Sequence, residues 1–129
     1  MIVVDASIIL HLLIDPETDI AVWNKVNNAG QLIAPHIIDL EIISGIRRHL
    51  RIGTFDQIRA DQAISDMKDF KIDRRPIIEN IQRIWELRNN VTPYDASYLS
   101  LAESLKLPLL TRDKKLANAA AAHTKVELI

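Results

Sequence analysis

"IVVDASIILHLLIDPE", residues 2–17, joins two periodicities in one short stretch. Ile2, Val3 and Val4 form an unbroken β-branched run, which reads as a strand buried on both faces. The run stops at an acid, Asp5. The apolar spacing that follows is helical, starting near Ser7 and broken at Pro16. Either Asp5 or Ser7 suits that helix as an N-cap. A short apolar strand leading directly into a helix is the unit to look for along the rest of the chain.

It recurs. A helix from about Glu17 to Asn28 is stopped by Gly30, and "QLIAP" (31–35) is a second buried strand. A long helix spans residues 37–51 and ends before Gly53, and "FDQIRADQAISDMKDF" (55–70) is amphipathic with helical period. "FKID" (70–73) suits an edge strand. "RPIIENIQRIWELRNN" (75–90) predicts a helix opened by Pro76 and closed by Asn89 and Asn90. Thr92 caps a further helix with Pro93 at its first position. "LPLLT" (107–111) is a strand, "DKKLANAAAA" (113–122) a helix and "KVELI" (125–129) a last strand. Strands alternating with helices predict a mostly parallel sheet covered on both faces. The expected fold is a three-layer α/β/α sandwich, one domain over residues 1–129.

Composition narrows the function classes. Of 129 residues, 48% are hydrophobic and 26% charged, as in a soluble globular protein, and there is no cysteine. Disulfides, thiolate zinc sites and cysteine nucleophiles are thereby excluded. The apolar start lacks a basic n-region and is interrupted by Asp5 and His11, so neither a signal peptide nor a membrane span is expected, and the cytoplasm is the expected compartment. A net charge of −1 argues against strong nonspecific attraction to nucleic acid. The basic clusters "RRHLR" (47–51), "KIDRR" (71–75) and "RDKK" (112–115) each read most simply as solvated surface.

Four acids stand out by position. Asp5 ends the first strand and Asp113 directly follows "LPLLT", and ligands of open α/β sheets bind beyond the carboxyl ends of strands. Capping explains each of these singly. Asp95, three residues after Thr92, can close a capping box on the Thr92 amide. Glu41 shares a helical face with Ile38, Ile42 and Gly45, and a glutamate on such a face needs a partner: an arginine, or a functional one. Gly45 would let another backbone approach closely. Asp39 reads as an ordinary first-turn acid. In a parallel sheet all four acids can converge at one end, where like charges need a cation between them. Oxygen ligands without cysteine suit Mg²⁺ or Mn²⁺.

The stretches "VVDASIIL", "LIAPHIIDLEIISGIRR", "WELRNNVTPYDASYLSLAESL" and "LPLLTRDKKLA" resemble, in order and spacing, the PIN-domain ribonucleases, specifically the VapC-type toxins of toxin–antitoxin pairs. The resemblance runs from the first residues to the last helix and is weakest over residues 55–76. It implies a metal-dependent endoribonuclease whose acidic quartet is Asp5, Glu41, Asp95 and Asp113. Asp5 and Asp95 are its direct metal ligands, Asp113 acts directly or through water, and Glu41 ligates or orients the attacking water. Ser7 and Thr111 match the hydroxyl positions that brace the acids. Arg112 matches a position suited to phosphate or partner, and Asn90 also falls on a motif. His11, His36, His49 and His123 match none, and His49 is expected at the surface. The implied products carry a 5′-phosphate and a 3′-hydroxyl. The implied partners are RNA, a VapB-type antitoxin folded along a groove between the early helices, and a second copy of the chain. Trp23 and Trp85 could line that groove, with core packing the simpler fate for both.

Two rival readings differ in class. A haloacid-dehalogenase-type phosphatase needs a second Asp two residues after its nucleophile, where this chain has Ser7. A catalytically silent PIN-like RNA- or protein-binding module does not account for the presence of all four acids.

Overall fold

The computed structural model describes residues 1–15 and 19–129, so the Pro16 break and the Glu17 helix start lie outside the described residues. Strands β1 (Ile2–Val4), β2 (Leu32–Pro35), β3 (Ile72–Arg75), β4 (Leu109–Thr111) and β5 (Val126–Leu128) form one sheet in the order β3-β2-β1-β4-β5. All the pairings are parallel, and Val3 lies opposite Ile33 on one side and Leu109 on the other. Helices α1 (Ala6–Ile14), α2 (Ile20–Asn28), α3 (Ile38–Arg51) and α4 (Gln57–Met67) connect the first three strands. Helices α5 (Ile81–Glu86) and α6 (Pro93–Leu105) lead into β4, and α7 (Lys114–Ala120) joins β4 to β5. α1 packs on α2, α3 and α4, whereas α6 packs on α5 and α7. Those two groups cover opposite faces, as right-handed crossovers require. This is the expected three-layer sandwich.

The topology fixes where a site can form. The chain steps outward from β1 through β2 to β3, then returns to place β4 on the other side of β1. Crossovers therefore leave β1 and β4 on opposite faces, and a crevice opens beyond their carboxyl ends. β1 and β4 are fully buried, and α6 buries every residue from Ala96 to Ala102 against the sheet. α3 buries Ile38, Ile42 and Ile46 at i, i+4 spacing and exposes Leu40, Ile43, Arg47 and Arg48. No described helix is long and apolar enough to cross a membrane.

The edge strand β3 carries charge where the inner strands carry hydrocarbon. The Arg74 guanidinium donates to both Asp39 oxygens at 2.7 and 2.8 Å, and Arg75 pairs with Asp73 at 2.9 Å. Such charges discourage a second chain from adding to the open edge. Asp39 is thus an ion-pair partner and not merely a first-turn acid.

Other local expectations change. Residues 77–80 form a 3₁₀ turn, and α5 begins only at Ile81, because Asn80 adopts a non-helical φ of −116° and ψ of 15°. Gly45 makes room for a side chain, not a backbone: a Cβ there would collide with Leu10. Trp85 is 62% exposed, with the Arg88 guanidinium 4.5 Å from its ring centre, so it is not in the core. Trp23 does pack inward, stacked on Phe70 at 5.8 Å. His49 is half-buried against Phe55, with Nδ1 enclosed and unbonded, and is not a surface residue.

Candidate active site

Asp5 is the N-cap of α1 and lies in the crevice, only 5% exposed. Its Oδ1 accepts from the Ser7 amide at 3.1 Å and from the Ser7 hydroxyl, while Oδ2 accepts from the Thr111 hydroxyl at 2.7 Å. The Ser7 Oγ accepts in turn from the Arg112 amide, and the Thr111 Oγ1 from the Asp113 amide, each at 2.9 Å. Two hydroxyls therefore clip the start of α1 to the end of β4 through one carboxylate. Burial still dominates, and it raises the Asp5 pKa to about 6.

Asp113 caps α7, its Oδ1 accepting from the Lys115 and Leu116 amides at 2.9 and 3.2 Å. Its other oxygen has no hydrogen-bond partner among the described residues. Asp95 sits in the first turn of α6, where the Thr92 hydroxyl accepts from the Asp95 amide at 3.2 Å. The return bond of a capping box, from the Thr92 amide to the Asp95 carboxylate, is absent among the described residues. Asp95 therefore stays half-buried with its carboxylate uncommitted. Burial first and Asp113 second raise its pKa, with Lys115 opposing them.

Glu41 projects from the first turn of α3, and its partner is not an arginine. The Tyr98 hydroxyl donates to Glu41 Oε1 at 2.6 Å. Burial raises the Glu41 pKa, the Tyr98 bond offsets part of this, and Asp95 adds repulsion. Tyr98 is 2% exposed, and burial together with Glu41 holds its phenol protonated. Repulsion thus links Asp5 to Asp113, Asp113 to Asp95 and Asp95 to Glu41. The four acids of the sequence reading share one rim, and none makes a salt bridge among the described residues. As the side chains stand, no three acids or histidines among the described residues are grouped closely enough to hold a metal ion. The rim is open.

Arg112 holds its guanidinium 3.8 Å from Asp19, which caps α2 and also meets His11 Nε2 at 3.0 Å. Asn90 lies in the turn before α6, its amide bonded to the Leu87 carbonyl at 2.9 Å.

A PIN domain profile matches residues 2–122. The chain belongs to the PIN-domain family. Its relatives are VapC-type. VapC ribonuclease Mb0985 of Mycobacterium bovis is 34% identical over 100% of this chain and 98% of its own length. Ribonuclease VapC1 of Mycobacterium tuberculosis is 33% identical over 98% of this chain and 96% of its own length. Among solved structures, PAE2754 from Pyrobaculum aerophilum matches with a TM-score of 0.68 at 26% identity, over 96% of this chain and 88% of that one.

Two residues of this PIN domain near the rim escape a reading of the sequence alone. Tyr98 follows Asp95 by three positions, so helical spacing places both on neighbouring faces, and that was the available signal. Asp19 looks like any helix cap, and nothing local connects it to Arg112, 93 positions away in sequence.

Proposed function

We propose that this PIN domain is a Mg²⁺- or Mn²⁺-dependent endoribonuclease that acts as the toxin of a toxin–antitoxin pair. One observation carries the reading: Asp5, Asp113, Asp95 and Glu41 are linked by pairwise repulsion at the switch point of the sheet, and no cation among the described residues forms a salt bridge with them. Leaving desolvated carboxylates so arranged costs stability, which a bound divalent cation would return. The donor set fits such an ion, since every candidate ligand is a hard carboxylate oxygen and the chain has no cysteine.

In this reading Asp5 and Asp95 hold the ion, Asp113 does so directly or through water, and Glu41 ligates or orients the attacking water. When bound, the ion supplies charge neutralisation at the scissile phosphate and eases deprotonation of that water. Ser7 and Thr111 fix both oxygens of Asp5 before substrate arrives, so little reorganisation is left for the reaction. The N-terminal turn of α6 favours the ionised form of Asp95. Arg112, exposed beside the rim, is placed to meet a phosphate of the RNA. In-line attack leaves a 5′-phosphate and a 3′-hydroxyl.

The antitoxin's place in this reading is a cavity of about 470 Å³ lined by Leu12, Leu13, Trp23, Val26 and Phe70. A homodimer belongs to the same reading: α3 leaves Leu40 and Ile43 exposed for a second copy.

The test is cleavage of purified RNA with and without EDTA, followed by mapping of 5′-phosphate ends. Cleavage abolished by EDTA and restored by Mn²⁺ is expected. Cleavage indifferent to chelation would overturn the metal assignment. RNA binding without any cleavage would favour the silent module.

A further inference from the structure

Tyr98 occupies a position that packing alone does not explain. Its neighbours along α6, from Ala96 to Ala102, are all buried, and Phe would fill the same space without burying a hydroxyl. That hydroxyl instead reaches from α6 to α3, helices on opposite faces of the sheet, and donates to Glu41 at 2.6 Å. The phenol oxygen also interacts with the backbone amide of Ala6, the residue directly after Asp5. One side chain therefore touches the turn that carries Asp5 and the carboxylate of Glu41. No other hydrogen-bond donor reaches Glu41 among the described residues.

A glutamate has three side-chain torsions, and Glu41 stands at the open side of the rim, lining a crevice with Ile37, Leu40, Ser44 and Tyr94. An unanchored carboxylate there would turn toward water, because burial opposes its charge. The Tyr98 bond engages Oε1 and leaves Oε2 for the rim. We infer that Tyr98 is a positioning residue for cleavage, anchoring the Glu41 carboxylate at a fixed place relative to Asp5. The inference rests on the reading of the rim as a metal-dependent nuclease site. Groups that orient metal-site carboxylates in this way typically contribute about 10- to 100-fold to metal affinity or activity.

The experiment compares wild type, Tyr98→Phe, Glu41→Ala and the double variant. Free Mn²⁺ is followed by electron paramagnetic resonance, with kcat and KM on one RNA and metal-free melting as the check on folding. Tyr98→Phe is expected to weaken Mn²⁺ binding and lower kcat roughly 10-fold or more, with KM and metal-free Tm nearly unchanged. In the Glu41→Ala background the same substitution should change Mn²⁺ affinity less than twofold. Wild-type Mn²⁺ affinity and kcat in Tyr98→Phe would overturn the inference and leave the nuclease reading standing. An equal loss in the Glu41→Ala background would also overturn it, by making Tyr98 a packing residue. A wild-type protein that binds no Mn²⁺ and cuts no RNA would remove the nuclease reading, and the role of Tyr98 with it.

Discussion

The rim beyond β1 and β4 and the periphery of the sheet both carry carboxylates, and they treat them in opposite ways. At the periphery several acids have a cation. Arg74 clamps Asp39, Arg75 pairs with Asp73, and Arg83 donates to both oxygens of Glu103 at 2.7 and 3.1 Å. The Arg83 bond holds the Glu103 pKa below its usual range. At the rim burial pushes the Asp5, Glu41 and Asp95 pKa values up; hydroxyls and amides bond to Asp5 and Glu41, and Lys115 only partly opposes the shift at Asp95. The chain has 16 Lys and Arg residues, so cations are not scarce. None of them forms a salt bridge with a rim acid among the described residues. The contrast separates acids that stabilise the fold from acids kept unpaired at its expense.

The largest effect should come from removing rim charge. Asp5→Asn or Asp95→Asn is expected to lower RNA cleavage by roughly 10²–10³-fold or more, comparable to losing one preorganised electrostatic group. Circular dichroism should show an intact fold. Undiminished cleavage by either variant would erase the functional half of the contrast.

Stability should move the other way. A carboxylate whose pKa is about 6 in the fold and 3.8 in the unfolded chain binds its proton more tightly when folded. Its contribution to stability is therefore present below pH 4 and lost as the pH rises to about 6. The loss is on the order of 3 kcal/mol at neutral pH, from about 1.4 kcal/mol per pKa unit. Urea melts of metal-free Asp5→Asn against wild type should show a gap in favour of the variant that opens across pH 4 to 6. A gap independent of pH would mean that Asp5 is compensated after all. Saturating Mn²⁺ should close or reverse the gap by binding only the folded wild type. By the same logic, Asp95→Ala should lose most of the Mn²⁺-induced rise in Tm seen for wild type.

Periphery pairs should behave as ordinary half-exposed bridges. Arg74→Ala is expected to cost about 1 kcal/mol, to leave RNA cleavage unchanged and to lose that cost in high salt. A large effect on cleavage would show that the β3 edge and the rim are not independent.

The smallest effect concerns Arg47 and Arg48, exposed on α3 and free of salt bridges among the described residues. If they meet RNA phosphates, replacing both with Ala should lower the salt slope of binding by about 0.7 per lost contact. Equal slopes in variant and wild type would leave them as solvated surface.

Local physics made most of this legible in the sequence. Short apolar runs bounded by turn signals and alternating with helices suit central parallel strands, and helical spacing with Pro93, Thr92 and Gly53 sets where helices begin and end. Asp5 and Asp113 announce themselves because a residue at a strand's carboxyl end has a fixed place in such a sheet. Capping leaves Asp113 open to a second role: one oxygen is spent on α7, and the other has no hydrogen-bond partner among the described residues. The split of the 76–90 segment and the exposure of Trp85 were not legible, because they depend on which neighbours remain to be covered after α6 has taken the sheet.

Sequence alone determined the order of elements and the sandwich, which follow from periodicity, and singled out the four acids as candidates. Only the tertiary structure decided the company those acids keep. Tyr98 meets Glu41 across 57 positions and Thr111 meets Asp5 across 106. Arg74, equally available in the sequence, went instead to Asp39. A side chain's partner, and with it the sense of a pKa shift, is set by which elements the sheet order brings together, and spacing along the chain carries no record of that.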